Sequence, residues 1–404
     1  MKTFADLHIH SHYSRATSKE MNIDGLSKYA KLKGLNLLGT GDFTHPKWFE
    51  ELKSKLEFNQ GLYEYNGMKY VLTAEISNIY KDMEKTRKVH NIIMAPDFEV
   101  ASQINDGLKK WGRVDYDGRP IFGKSSVELM EMLMKISEKI IVVPAHIWTP
   151  WFSLFGSMSG YDNLKDCYKE YSKYIYALET GLSSDPEMNW RLSQLDRYSL
   201  ISNSDSHSPY PHRIGRECNV FDDLKSYDEL LKTLKKENRK FLFTVEVSPS
   251  YGKYHFDGHR LCNISLSPEE SVKIKDVCPK CGKQLTLGVL HRVEELADRK
   301  EGFMPENAVP FKNLIPLTEV LSALYNKGSQ TKIVWKKYTD LIDKFGNEFA
   351  MMLDADLREI GAIDRKLAYY ISRIRENKVR IVPGYDGVYG VPGFEEQKAL
   401  SQYT

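Results

Sequence analysis

MKTFADLHIHSHYS (residues 1–14) sets three histidines, His8, His10 and His12, at alternate positions directly after an apolar start, in a chain that has only 11 histidines among 404 residues. Side chains two apart on an extended strand share a face, so His8 and His10 project together, with Asp6 and His12 in line. Two neutral imidazoles on one face can grip one cation. A cluster of His, Asp and Glu is the ligand stock of a di- or trinuclear hydrolytic site. The same alternation also suits a polar edge strand, so the rest of the chain has to decide.

It decides by repetition. Six further apolar runs follow: LNLLGTGDFTH (35–45), KYVLTAEIS (69–77), KVHNIIMAP (88–96), KIIVVPAHIW (139–148), YIYALETG (174–181) and YSLISNSDSH (198–207). In five of the six a His, Asp or Glu comes at or just past the C-terminal end of the run, whereas His90 lies at the start of its run. Segments between them, such as SSVELMEMLMKISEK (125–139), carry helical periodicity, so the alternation predicts an α/β fold with a mainly parallel barrel over 1–245. In such barrels active sites assemble at the C-terminal strand ends. The candidate set is His8, His10, Asp42, His45, Glu75, His90, His146, Glu179, Asp205 and His207. Any one of them alone suits a satisfied core side chain, His12 and His90 most of all; together they point to metal.

Residues 246–305 change character, with Gly, Pro, His and Cys in place of periodic apolar runs. GHRLC (258–262) and CPKCG (278–282) form two knuckle-like pairs, so His259, Cys262, Cys278 and Cys281 are expected to hold one structural zinc. His255 and His291 rival His259 for the fourth place. The odd total of five cysteines argues against a disulfide framework.

Residues 306–404 read as a helical domain. LREIGAIDRKLAYYI (357–371) has the spacing of a helix-hairpin-helix with a degenerate turn, Ala362-Ile363-Asp364, and the basic residues Arg365, Lys366, Arg373, Arg375, Lys378 and Arg380 face only Asp364 and Glu376. A DNA-facing helix with Arg373 and Arg375 on phosphates is one reading; Asp364 as an ordinary N-cap on a solvated helix is the other.

Composition sets the outer limits. With 41% hydrophobic and 28% charged residues and a net charge of +2, the chain is an ordinary globular protein whose charge selects no partner. There is no apolar run near about 20 residues and no cationic start leading into an apolar stretch. Neither a membrane span nor a signal peptide is expected, and the expected compartment is the cytoplasm.

DLHIHSHYS, TGDFTH, AEIS, VHNIIM, VPAH and NSDSH, in that order, resemble the successive motifs of the polymerase and histidinol phosphatase (PHP) superfamily over residues 3–215. The resemblance implies a distorted seven-stranded α/β barrel with two or three divalent metals, zinc, magnesium or manganese, in a cleft that hydrolyses phosphoesters. Position by position it implies His8 and His10 as metal ligands of the first motif, Glu75 as the bridging carboxylate, His90 and His146 on the second metal, and Asp205 near the first. His207 falls near the third, with His8, His10, Glu75, His146, Asp205 and His207 carrying the chemistry. Two positions depart from the pattern. Asp42 stands close to where many members have histidine and is expected as an oxygen ligand; Arg15 stands where many have an acid or histidine and is expected on the substrate phosphate.

With the zinc pair, LTLGVLHRVEELADR (285–299) and VPGYDGVYG (382–390) added, essentially the whole length resembles the endonuclease Q family of DNA-repair nucleases. That resemblance implies cleavage 5′ to a deaminated base (deoxyinosine, uracil, xanthine) or an abasic site in double- or single-stranded DNA. The lesion nucleotide would be flipped into a pocket for which Trp148, Trp151, Phe152 and Tyr171 are candidate walls, against hydrophobic core as the plainer role of each. Two alternatives stand beside it: a small-molecule phosphoesterase of the histidinol-phosphatase kind, and a non-catalytic DNA-damage binding protein. A monomer is expected; the sequence leaves open a sliding-clamp contact, the physiological metal and the order of lesion preference.

Overall fold

All the apolar runs fold as strands. In the computed structural model, which describes residues 1–393, they are β1 (Lys2–Asp6), β2 (Leu37–Gly39), β3 (Met68–Asp82), β4 (Lys85–Ala95), β5 (Ile141–Pro144), β6 (Ala177–Glu179) and β7 (Ser199–Ile201). β2, β5 and β6 are buried at every position, as strands covered on both faces must be. Between them lie capped amphipathic helices. Ser126–Ile136 opens on a capping box between Ser125 and Glu128 and turns Leu129, Met130 and Leu133 inward. Burying each such side chain contributes about 1.5–3 kcal/mol.

The pairing departs from a mainly parallel barrel. β1–β2 and β2–β3 are parallel, but β3–β4 and β4–β5 are antiparallel. The cause is local. β3 runs straight into β4 through a two-residue turn at Met83 and Glu84, both at positive φ (50° and 60°), the backbone of a hairpin. Hairpin turns of that kind usually carry Asn-Gly, and their absence hid the turn in the sequence. On the other side of β1, β8 (Cys218–Asp222) and β9 (Phe241–Glu246) add in antiparallel fashion, and β10 (Phe311–Asn313) joins β9 in parallel. With three short strands at Glu57–Asn59, Leu62–Tyr65 and Ile121–Phe122 the result is one mixed eleven-stranded sheet among the described residues, with β6–β7 as a separate parallel pair.

The expected seven-strand ladder is therefore not continuous. β5 and β6 share no ladder, and the chain beyond β5 reaches β6 by a bond from Ile147 N–H to the Glu179 carbonyl. Beyond β7 the chain returns to β1 through a parallel bridge between Ile9 and Ser206, with His10 N–H donating to the Ser206 carbonyl. These links gather the far ends of the strands around one cleft.

Helices Leu317–Tyr325, Lys332–Phe345, Leu357–Gly361 and Arg365–Arg375 build the C-terminal region. They join the strand region through an ion pair buried at both ends: Lys33 Nζ lies 2.7 Å from Glu348 Oε1, which also accepts the Leu317 N–H. The expected boundary at 306 is not clean, because β10 belongs to the main sheet. Residues 394–404 of the expected helical domain lie outside the described residues. Among the described residues no helix is long and apolar enough to cross a membrane.

Candidate metal centre

The strand ends deliver the ligand-type side chains to one place. His8 and His10 sit on either side of Ile9, whose bridge to Ser206 keeps this segment extended, so both imidazoles face the cleft. Glu75 comes from β3. In the β3–β4 register Glu75 pairs with Ile92 and Ser77 with His90, which makes Glu75 and His90 diagonal neighbours on one face. His90 thus broke the strand-end rule only because β4 runs antiparallel: the start of its run lies at the same end as the finish of the others. His146 and Asp205 follow β5 and β7. Asp42, His146 and Asp205 all hold left-handed backbone (φ 48°, 30° and 46°), strain of about 1–3 kcal/mol each that clusters where function needs it. Gly181 allows the His146 turn, since a Cβ there would stand 2.6 Å from that of His146.

Two donor sets form, sharing Glu75. His8, His10, Glu75 and Asp205 each offer a ligand atom within 4.8 Å of the others, and so do Glu75, His90 and His146. His10 Nε2 lies 3.3 Å from Glu75 Oε2 and 3.1 Å from Asp205 Oδ1; His90 Nδ1 and His146 Nε2 lie 2.6 and 3.2 Å from Glu75 Oε1. Donors about 2.0–2.1 Å from a single ion stand roughly 3 Å apart, so the spacing suits divalent cations. His8 Nε2 supplies an independent sign: it is buried, aimed at Glu75 and Asp205, and has no hydrogen-bond partner among the described residues.

A second layer of carboxylates aims the imidazoles. His8 Nδ1 donates to Glu179 at 3.0 Å, and Glu179 also accepts the His146 N–H and Asn203 Nδ2, each at 2.8 Å. His10 Nδ1 donates to Asp42 Oδ1 at 3.0 Å, while Asp42 Oδ2 accepts the Ser11 N–H, Ser11 Oγ and Ser14 Oγ. Such bonds fix each imidazole's tautomer and present Nε2 to the cleft. Asp42 is therefore a support for His10 and not the expected oxygen ligand, because both of its oxygens are already taken. His207 falls in neither set: its ring stands 4.5 Å from that of His10 at the rim, with Nδ1 on the Asp205 carbonyl. The third metal finds no donor set here among the described residues. His12 bonds the Met21 carbonyl and His45 stacks on Tyr13, both away from the sets.

The electrostatics match a cation site. Burial opposes charge on His8, but Glu179 and Glu75 outweigh it and hold its pKa well above the ordinary value. Burial would raise Glu75, yet His90, Arg119 and His8 hold it well below the carboxylate range. His90 is pushed down to about 4 by burial, keeping a neutral, ligand-competent imidazole. Four carboxylates, Asp42, Glu75, Glu179 and Asp205, surround this cleft.

Arg119 is the residue that sequence reasoning missed: its Nη1 lies 3.1 Å from Glu75 Oε2. The only hint was the turn-forming DGRP at 117–120. Arg15 stands at the rim, 77% exposed, with Nε 3.4 Å from Asp117. Trp151 follows His146 and packs edge-on to Tyr254 at 5.9 Å; Phe152 lies 4.8 Å from the His90 ring. Trp148 is core, its Nε1 donating to Asn189. Tyr171 does not belong to the cleft. The turn Lys169–Tyr174 packs on helix Ser126–Ile136, whose last turn leads into the start of β5, the end opposite His146.

The Cys/His group assembles as expected. His259, Cys262, Cys278 and Cys281 bring their ligand atoms within 4.8 Å of one another, with Cys281 Sγ 3.3 Å from His259 Nδ1. The rivals are placed elsewhere: His291 donates to Asp257 at 2.7 Å, and His255 is buried against Phe256. Against a burial penalty, the N–H groups of Lys280 and Cys281 pull the Cys278 thiol down to about 6, towards the thiolate that zinc binds.

In the C-terminal region Asp364 is an ordinary N-cap, accepting the Leu367 N–H. Arg375 departs from its expected place on DNA: Nε and Nη2 donate to the Met352 and Met351 carbonyls, both at 2.8 Å, closing the end of the preceding helical turn. Arg373 lies on the same helix with one nitrogen on the Lys378 carbonyl.

An α/β sheet whose strand ends converge on two joined His/carboxylate sets defines a metal-dependent hydrolase. Comparison with known proteins narrows this. The family model described as the MJ0043 C-terminal domain matches residues 316–378. A relative, MJ0043 of Methanocaldococcus jannaschii, is 36% identical over 62% of this chain, a match that spans only 32% of the relative's length. The crystal structure of the lesion-specific endonuclease PfuEndoQ from Pyrococcus furiosus superposes with a TM-score of 0.88 at 34% identity, covering 98% of this chain and 96% of that one. Endonuclease Q bound to a 27-mer duplex with an abasic lesion at its active site gives the same score and identity over 98% and 97%. The chain belongs to the endonuclease Q family.

Proposed function

We propose that this protein is a lesion-specific DNA endonuclease, cutting the phosphodiester 5′ to a deaminated base, such as deoxyinosine, uracil or xanthine, or to an abasic site. The observation that carries the reading is the likeness, over nearly the whole chain, to an endonuclease Q held on duplex DNA with a lesion at its active site. The donor sets support it. His8, His10, Glu75 and Asp205 would hold one divalent ion, Glu75, His90 and His146 a second, and the Cys/His group one zinc. Zinc or manganese suits the imidazole-rich sets better than magnesium. When bound, such ions lower the pKa of water, orient the phosphate and neutralise charge on the leaving oxygen.

The chain's own residues do the rest. Glu179 and Asp42 keep His8 and His10 presenting Nε2. His207 Nε2, on an imidazole that burial keeps from charging readily, stands at the rim where it can move a proton to or from the reacting oxygens. A lesion base is hidden in the duplex, so the nucleotide must swing out, most easily where pairing is weak. Trp151 and Phe152, on the turn after His146, offer aromatic surface there. The test is a nicking assay with added metal on duplexes carrying one deoxyinosine, one uracil or one abasic site, beside undamaged duplex and a monophosphate ester. Nicking 5′ to the lesion alone is expected. Hydrolysis of the monoester only would favour a small-molecule phosphoesterase, and tight lesion binding without nicking a damage-binding protein.

A further inference from the structure

Glu75 is the carboxylate that both donor sets share, and among the described residues one arginine and no lysine pairs with it. Arg119 Nη1 lies 3.1 Å from Glu75 Oε2, and the side chain is 31% exposed, so the guanidinium is not sealed into the core. Its Nε and Nη2 have no protein acceptor among the described residues. A planar five-donor group thus stands at the cleft mouth with one edge on the shared ligand and the other unspent.

The loop that carries it is fixed to the same second layer that aims the imidazoles. Asp117 Oδ1 accepts the N–H groups of Arg119 and Arg15, Gly118 N–H donates to the Tyr13 carbonyl, and Thr44 Oγ1 donates to the Gly118 carbonyl. Gly118 lies so close to Asp42 and Ser14 that any Cβ there would run into the carboxylate supporting His10. Ser77 N–H, two residues from Glu75, donates to the Pro120 carbonyl. The loop is therefore registered against the Asp42 that supports His10, and its guanidinium against Glu75, before any substrate arrives, which is what stabilisation of developing charge requires.

We infer that Arg119 is a substrate-contacting residue, giving Nε and Nη2 to a non-bridging oxygen of the scissile phosphodiester while Nη1 holds Glu75. This rests on the endonuclease reading above. Arg15, more exposed on the far side of Asp117, is left with the flanking phosphate. The contrast is between a guanidinium held on the buried Glu75 and one that reaches only Asp117 from a side chain 77% exposed.

The test compares Arg119→Ala and Arg119→Lys with wild type on a deoxyinosine duplex at saturating enzyme, alongside zinc and manganese content per chain. Losing one preorganised donor to a transition-state oxyanion lowers the rate by roughly 100- to 1,000-fold, and Lys, lacking the fork, should recover little of it. Metal content should stay at the wild-type value. A separate readout uses equilibrium binding in EDTA to a duplex whose scissile linkage is an uncharged methylphosphonate. Wild type should lose affinity on that substitution and Arg119→Ala should not. Nicking within threefold of wild type, equal loss of affinity in both proteins, or lost metal in Arg119→Ala would each overturn the inference. A wild-type protein that nicks no lesion duplex would instead overturn the endonuclease reading.

Discussion

The molecule holds two clusters of ligand-type side chains built on opposite plans. The Cys/His group draws four ligands from two short knuckles within residues 259–281, and backbone N–H groups lower the Cys278 thiol. The cleft draws its ligands from residues 8 to 205, and most of its order comes from carboxylates standing behind the histidines. A closed set of four protein ligands leaves no open position and serves folding; a set aimed from behind into a cleft leaves room for substrate. Only histidine is common to the two clusters; one is closed by cysteines, and the other is backed by a second layer of carboxylates.

Substitutions can break this contrast, beginning with the largest effect. Asp205→Asn keeps the size of the side chain and removes the anionic oxygen on the first set, so lesion nicking should fall by orders of magnitude with lesion affinity largely kept. Wild-type-like nicking at saturating enzyme would remove Asp205 from the cleft's chemistry. Cys278→Ala with Cys281→Ala should release one zinc per chain and lower the melting temperature while the cleft's metals remain; unchanged zinc content would sink the closed-site assignment. Asp42→Asn probes the second layer alone and should weaken metal affinity in the cleft by about 10- to 100-fold, read by competition with a chelating dye. If affinity instead vanished, Asp42 would be a ligand after all. The smallest effect belongs to the C-terminal helix. Arg373→Ala should flatten the slope of log affinity against log salt by about 0.9, one phosphate contact, on damaged and undamaged duplex alike. Arg375→Ala should leave the slope unchanged and lower stability instead, since its guanidinium serves the Met351 and Met352 carbonyls.

How much of this was legible depended on whether the information was local. The apolar runs and the residues just beyond them marked the strands and most of the cleft, because burial on both faces writes a continuous hydrophobic segment. The direction of β4 was not legible, since Met83 and Glu84 adopt a hairpin backbone without the residues that usually favour it. Asp42 looked like a ligand in sequence; only the approach of Ser11, Ser14 and His10 in space shows its oxygens already engaged. His259 became separable from His291 once Asp257 was seen to claim the latter. Arg119 was invisible because the reason for it, contact with a glutamate 44 residues earlier, is purely tertiary.

The buried pair Lys33–Glu348 ties the fate of the helical region to that of the strands. Both side chains are 2% exposed, and one apolar core runs unbroken from Leu35 and Leu38 of the strand region to Phe349, Met351 and Ile360 beyond it. Removing one charge from such a pair strands the other, at a cost of about 3–5 kcal/mol, a large part of the roughly 5–15 kcal/mol by which a whole domain is stable. The two regions should accordingly melt as a single cooperative unit. In Glu348→Gln the whole calorimetric transition should shift downward without splitting, so that the helices cannot loosen on their own while the cleft stays formed.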